Sequence, residues 1–312
     1  MVPLTHTNTS RWPCLNLFQR LQICSTFFLV FSTLLSTSWA GAELVEVQAI
    51  RGSDGLTPWH QSFQKKVSKM RRNPTYLALG YRECASVQEI PGVYLCLNYT
   101  TLGMARGLAR ASIFIEGLGK QVSALPFPKG TLLPLDSPAL ENYSNAIQGM
   151  DLKGQDLQKF YDVLLRKCAD TGDVNWCPNK YEQEMFEQFV LPHFQRDQHF
   201  VVITHALVSK TPYQNIVSHE IMHAQYFLQP PFRKVAGDFW SNEMSEGERQ
   251  EVRAVLSLYY DSLDEPLMEN EFQAYILQFG AGGSLLGPLV LKYRGRLFEK
   301  MVQSGISPIQ VQ

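Results

Sequence analysis

The pattern of apolar and polar positions predicts a buried strand followed closely by a helix in the second half of the chain. Residues 199–208, HFVVITHALV, are β-branched and nearly continuous in apolar character, which indicates a buried strand. Residues 217–228 then repeat apolar side chains at helical spacing. The apolar face of this helix carries Val217, Ile221, Ala224 and Leu228. Thr211 before Pro212 is typical of a helix start, and Pro230 ends the pattern.

Helical periodicity predicts further helices on both sides of this pair, and Ser245 followed by Glu248 predicts a capping box. The predicted helices cover 155–168, 181–194, a segment from Ser245 to about 263, 267–280 and 286–303. Short apolar runs between 75 and 118 suit strands or a mixture of strand and helix. Residues 124–150 are rich in Pro, Gly, Ser and Asn, which predicts a long irregular connection.

The motif helix carries the sequence HEIMH, in which two histidines flank a glutamate. His219 and His223 lie one turn apart on the same face, so their imidazoles can converge on one metal ion. Glu220 points to a neighbouring side, within reach of a metal-bound water. The competing interpretation is an ordinary exposed helix whose histidines and glutamate face water. It does not explain the apolar residues that occupy most other positions of this helix.

This segment resembles the gluzincin metallopeptidases, in which a glutamate on a downstream helix is the third zinc ligand. Glu271 lies 48 residues beyond His223, a spacing like that of gluzincins with longer insertions, and Glu243 lies 20 residues beyond, as in the thermolysin family. We favour Glu271 because it falls inside a predicted helix whose following residues, including Tyr275, continue the same face. Glu243 and Glu269 remain alternatives. The metzincin pattern is excluded, because Tyr and Gln occupy the positions at which it requires Gly and His.

The resemblance implies one Zn²⁺ per chain and a peptidase mechanism in which Glu220 is the general base. Tyr275 is the first choice for stabilising the transition state, and Tyr226, His205 and His199 are alternatives. Strand 199–208 is expected to line the cleft and to pair with an extended substrate through an exposed edge. The substrate would be a peptide, a protein or a peptidoglycan cross-link. The alternative function is a non-catalytic exported binding or scaffold protein on a degenerate zincin fold.

The predicted fold is α+β and zincin-like, with one catalytic domain at 43–312 after a signal peptide at 1–42. Within this domain, 43–210 would form a lobe of mixed sheet and helices, and 211–312 a helical lobe that binds the metal. The cleft is expected between the two lobes. Alternatively, 43–150 is a removable or inhibitory segment.

Composition and charge exclude several classes of function. The chain has 312 residues, of which 45% are apolar and 18% are charged, so it can bury a globular core. The 28 basic and 29 acidic residues create no strong field that would attract nucleic acid.

Near the N-terminus, two arginines, an apolar run at 25–36 and AGA at 40–42 predict a cleavable export signal. The apolar run is too short for a stable membrane span, which needs roughly 20 residues.

Cysteine usage agrees with an extracytoplasmic location, periplasmic or secreted. After removal of the signal, the chain keeps four cysteines in two sequence-local pairs. The simplest of three connectivities is two short-loop disulfides, Cys84–Cys96 and Cys168–Cys177. A zinc site with four cysteine ligands is the alternative, although the chain has no CxxC knuckle.

Overall fold

The computed structural model describes most of the chain after residue 47. The described residues are 48–50, 52–70, 82–118, 127–147, 149–194, 199–206, 213–278 and 285–309. The predicted signal peptide at 1–42 lies outside them, as do Thr211 and Pro212 of the predicted helix start. Val47–Gln312 form one compact unit. Its described part has an α+β fold, as predicted.

The sheet is mixed and contains four strands of five or six residues and one short strand. The strands are β1 (Gln48–Ile50), β2 (Arg82–Val87), β3 (Val93–Asn98), β4 (Gly149–Lys153) and β5 (Val201–Ala206). Their order across the sheet is β1-β2-β3-β5-β4. β5 runs parallel to β3 and antiparallel to β4.

The strand before the motif helix, β5, is an interior strand and not the exposed edge predicted from the sequence. It lies between β3 and β4. Its side chains are buried on both faces, since Val201 and Ile203 belong to one apolar core and Val202 and Ala206 to another. Burial on both faces explains why the segment is apolar at almost every position. The edge of the sheet beside the motif helix is instead β4.

Eleven α-helices are described, and three shorter segments are 3₁₀ or π turns. The helices are α1 (Gly52–Met70), α2 (Thr101–Glu116), α3 (Pro138–Ala146), α4 (Gly154–Thr171), α5 (Lys180–Met185), α6 (Leu191–Phe194), α7 (Tyr213–Leu228), α8 (Pro230–Asp238), α9 (Glu246–Leu256), α10 (Glu265–Leu277) and α11 (Pro288–Gln303). The predicted capping box of Ser245 and Glu248 begins α9. The irregular connection predicted at 124–150 is wrong in part, because it contains α3 and the start of β4.

Two apolar cores lie on opposite faces of the sheet. The first includes Leu95 and Val201 of the sheet, and Val217 and Ile221 of α7. It continues into α10 and α11, so the sheet and the C-terminal helices share one core across residue 210. The second core packs α2 and α4 against the other face of the sheet. The motif helix is therefore held against a sheet face along its predicted apolar side.

Both predicted disulfides are present. Cys84 and Cys96 are direct partners on the antiparallel strands β2 and β3, with Cα atoms 4.0 Å apart. Cys168 in the last turn of α4 is bonded to Cys177, which follows a 3₁₀ turn. Two disulfides fit a protein of an oxidising compartment. No helix within the described residues has the length and apolar character needed to cross a membrane.

Candidate metal centre

The helix α7 brings two imidazoles together, as the spacing of the motif predicts. The Nε2 atoms of His219 and His223 are 3.0 Å apart, and the ring planes are nearly perpendicular. His219 is 9% exposed and His223 is 1% exposed. Opposite them, Val217, Ile221 and Ala224 are fully buried against the sheet. The two nitrogen atoms are thus held on a helix that is fixed by its other face.

Glu271 of α10 brings both oxygen atoms of its carboxylate close to the two imidazoles. Its Oε2 lies 3.6 Å from Nε2 of His219, and its Oε1 lies 3.7 Å from Nε2 of His223. Zinc binds such atoms at about 2.0–2.2 Å, so ligand atoms of a tetrahedral site lie roughly 3.3–3.6 Å apart. The three observed separations are close to this range. These residues could therefore hold one metal ion.

The two alternative glutamates lie in other environments. Glu243 ends the π turn after α8, and its carboxylate forms an ion pair with Lys300 of α11. Glu269 accepts a hydrogen bond from the hydroxyl of Tyr226 at 2.7 Å. Neither belongs to the groups of described residues that could hold a metal ion.

Gln278, which the sequence analysis did not identify, orients His219. Its Oε1 lies 3.0 Å from Nδ1 of His219, and the side chain is 3% exposed. An amide oxygen can only accept, so Nδ1 of His219 carries the hydrogen and Nε2 keeps its lone pair for a metal. Burial lowers the pKa of His219 to about 4, which also favours the neutral ring. Gln278 follows α10 directly, seven residues after Glu271, so both groups come from α10 and the residue that ends it.

Replacing Gln278 by Leu is expected to weaken zinc binding by about 10- to 100-fold, because the ring of His219 loses the group that fixes its orientation. Competition with a chromophoric chelator measures this affinity. Gln273→Leu is the matched control, since Gln273 is a buried glutamine of the same helix whose amide bonds to Met222 O and Asn270. Equal affinities in the two variants would contradict the role of Gln278.

Glu220 lies beside the edge strand β4 and next to a second carboxylate. A Cβ atom at Gly149 would come within 2.5 Å of its Oε1, so the strand approaches the glutamate closely only because residue 149 is glycine. Burial raises the pKa of Glu220 well above its usual range, and the charge and hydrogen bond of Asp151 act in the same direction. Oδ1 of Asp151 is also 3.9 Å from Nε2 of His223. Asp151, Glu220 and His223 form a second group that could hold a metal ion.

Four acidic side chains converge on the centre. Glu116 at the end of α2 joins Asp151, Glu220 and Glu271, and burial together with the charges of Asp151 and Glu271 raises its pKa well above the usual range. Burial likewise raises the pKa of Glu271 to about 7, although the charge of His223 lowers it. Among the described residues, none of the four forms a salt bridge with Lys or Arg. A buried excess of negative charge is costly without a cation, so this environment fits a divalent metal ion.

Only one of the four residues considered for transition-state stabilisation has a described ring contact with a candidate ligand. The ring of Tyr275 is 4.3 Å from that of His219, and its hydroxyl lies 3.2 Å from the hydroxyl of Tyr260. The hydroxyl of Tyr226 donates a hydrogen bond to the carboxylate of Glu269. His205 packs beside Tyr213 at the start of α7, and His199 is exposed and bonded to Gln155. Of the four, Tyr275 is thus the residue whose ring lies against a candidate metal ligand.

A cleft of about 590 Å³ extends from this centre toward the end of α7. Glu116, Asp151 and Glu271 are among its lining residues. The last turn of α7 lines it with Phe227 and Leu228. Its volume is in the range of pockets that bind small molecules or short peptide segments. The cleft thus reaches Glu271, the carboxylate of the candidate metal centre.

Comparisons of this chain with protein-family models, curated proteins and solved structures find no match.

Proposed function

We propose that this protein is an exported zinc-dependent metallopeptidase of gluzincin type on a zincin-like fold. The observation that carries the proposal is the buried group of His219, His223 and Glu271, with ligand atoms 3.0–3.7 Å apart. Two imidazoles and one carboxylate leave a fourth position open for water, which is typical of catalytic zinc sites. Structural zinc sites, by contrast, are usually closed by four protein ligands. The acidic surroundings described above also favour a dication at this position.

His219, His223 and Glu271 would hold the zinc ion, which when bound would supply a water molecule of lowered pKa and polarise the carbonyl of the scissile bond. Glu220 is the general base: it accepts the proton of the attacking water and passes it to the leaving amine nitrogen. Asp151 positions Glu220 through the hydrogen bond between the two carboxyl groups. A positioned acid or base of this kind contributes about 10²- to 10⁴-fold to a rate.

The substrate is an extended peptide that pairs with the edge strand β4. Within the described residues no further strand pairs with β4 beyond its contact with β5. A free edge can add an extended peptide as a further strand through main-chain hydrogen bonds. Gly149 and Asp151 stand on the face of this strand that is turned to α7. A peptide along this edge would carry its scissile bond past Glu220.

The disulfides and the N-terminal sequence support an extracytoplasmic location. Both cysteine pairs are oxidised, and the export signal predicted at 1–42 precedes them. We propose that the protein is located outside the cytoplasm after removal of the signal, either in a periplasm or secreted.

The proposed function is tested by incubating the purified 43–312 protein with a mixture of unrelated peptides and peptidoglycan fragments. We expect cleavage products by mass spectrometry, loss of cleavage with a chelator, and recovery when one equivalent of zinc is added back. Absence of cleavage from a protein that holds one zinc ion would contradict the proposal. It would favour the non-catalytic scaffold instead.

A further inference from the structure

The cleft beside the metal centre is lined by acidic, basic and apolar side chains. Among the acidic ones, Asp151 and Glu271 are buried and Glu116 is half-buried, and they would repel a negatively charged group of a substrate. The apolar lining residues are Phe227, Leu228, Pro230, Pro266 and Leu267. A substrate segment in this cleft therefore contacts an apolar surface together with charged side chains.

Three cationic side chains line the cleft, and two of them already have acidic partners. Lys153 forms a salt bridge with Asp156 at 2.9 Å, and Lys129 forms one with Asp264 at 3.5 Å. These acids also line the cleft, so each pair contributes little net charge. Both lysines are therefore poor candidates for recognising an anion.

Arg233, in the first turn of α8, is the third cation, and its guanidinium has no salt bridge or hydrogen bond to any described residue. The charge of Arg233 lowers the pKa of Glu269, but that carboxylate accepts its hydrogen bond from the hydroxyl of Tyr226. Arg presents a planar set of donors that matches a carboxylate in a bidentate arrangement. Arg233 is exposed, so an anionic group in the cleft would find donors that no other described residue occupies.

We propose that Arg233 is a specificity-determining residue that selects substrates carrying a carboxylate next to an apolar residue. This carboxylate belongs to the part of the substrate, on one side of the scissile bond, that lies in the cleft. The inference rests on the proposed peptidase function and adds its substrate class. The buried acidic residues and the exposed Arg233 act together, because the former repel a carboxylate and the latter attracts it. The carboxylate can belong to an Asp or Glu side chain or to the C-terminus of a short peptide.

Binding of fluorescent peptides to zinc-loaded Glu220→Gln protein tests this inference without turnover. The probes share an apolar core of two leucines followed by Glu or by Gln, and each is made with a free and with an amidated C-terminus. We expect the peptide with a carboxylate to bind about tenfold more tightly than its neutral counterpart, with a preference that shrinks as salt rises. A preference for Glu over Gln identifies a side-chain carboxylate as the recognised group. A preference for the free over the amidated C-terminus identifies the terminal carboxylate.

The variant Arg233→Gln is expected to bind all four peptides with the affinity of the neutral one, and Arg233→Lys to recover part of the preference. Lys234→Gln is the matched control, because this neighbouring lysine is exposed, pairs with Asp238 and does not line the cleft. A preference that survives Arg233→Gln, equal binding of all peptides by the parent, or no binding would overturn the inference. Failure of the proposed function has a different signature, namely no zinc in the protein or no cleavage by the unaltered chain.

Discussion

Replacing Glu220 by Gln is expected to lower kcat for peptide hydrolysis by about 10²- to 10⁴-fold while the protein keeps its zinc. Gln has nearly the shape of Glu and fits the narrow space beside Gly149, where the carboxylate now lies. It cannot accept the proton of the attacking water. His219, His223 and Glu271 are unchanged in this variant, so the metal remains bound.

Initial rates on a cleaved peptide and the zinc content of the same samples measure both parts of this result. Glu243→Gln is the control, since its carboxylate pairs with Lys300 away from the two histidines. This control is expected to hydrolyse at the rate of the unaltered protein. Turnover by Glu220→Gln within a few-fold of the parent would remove Glu220 from the mechanism.

Replacing Arg110 by Met is expected to lower the free energy of unfolding by about 3–5 kcal/mol, because it leaves Glu182 as a buried charge without its cationic partner. The two side chains are 2% and 1% exposed and form a bidentate pair with distances of 2.8 and 2.6 Å. The guanidinium also donates to the main-chain oxygens of Asn175 and Cys177. Arg110 thus ties α2 to α5 and to the segment closed by the second disulfide.

Urea denaturation with the disulfides intact measures this free energy by linear extrapolation. The double variant Arg110→Met with Glu182→Leu is expected to recover much of the loss, since a buried ion pair can often be replaced by apolar side chains of similar volume. Lys66→Ala removes an exposed ion pair with Glu83 and is expected to change stability by less than about 1 kcal/mol. A loss of that same small size in Arg110→Met would contradict the structural role of the buried pair.

The local features of the chain could be predicted from its sequence because each depends on residues within one or two turns. The helix from Ser245 has its own capping box, and the apolar repeat of α7 and its stop at Pro230 are equally local. The pairing of His219 with His223 follows from one turn of helix. The two disulfides were likewise predicted from cysteines that are close in sequence.

The neighbours of β5 in the sheet could not be predicted, because strand order is set by contacts between distant segments. The apolar run at 199–208 indicates burial, and burial on both faces is a sign of an interior strand. The edge strand β4 was missed because Gly149 and Asp151 directly follow a stretch rich in Pro, Gly and Ser. Short strands in such surroundings carry little periodicity.

The residues around the two histidines were missed for a related reason. Glu116 ends α2, Asp151 is in β4 and Gln278 follows α10, so three separate segments deliver them. Nothing in the local sequence of any one segment marks it as part of a site. Gln278 was the most accessible to prediction, because it lies only seven residues beyond Glu271, directly after the same helix.

The central claim is that His219, His223 and Glu271 hold one zinc ion, and metal content measured by elemental analysis tests it most directly. The measurement compares the zinc-loaded 43–312 protein with its Glu271→Ala and Glu243→Ala variants after removal of loosely bound metal. We predict about one zinc per chain in the parent and in Glu243→Ala, and strongly reduced zinc in Glu271→Ala. No zinc in the parent after reloading, or loss of zinc only in Glu243→Ala, would contradict the account.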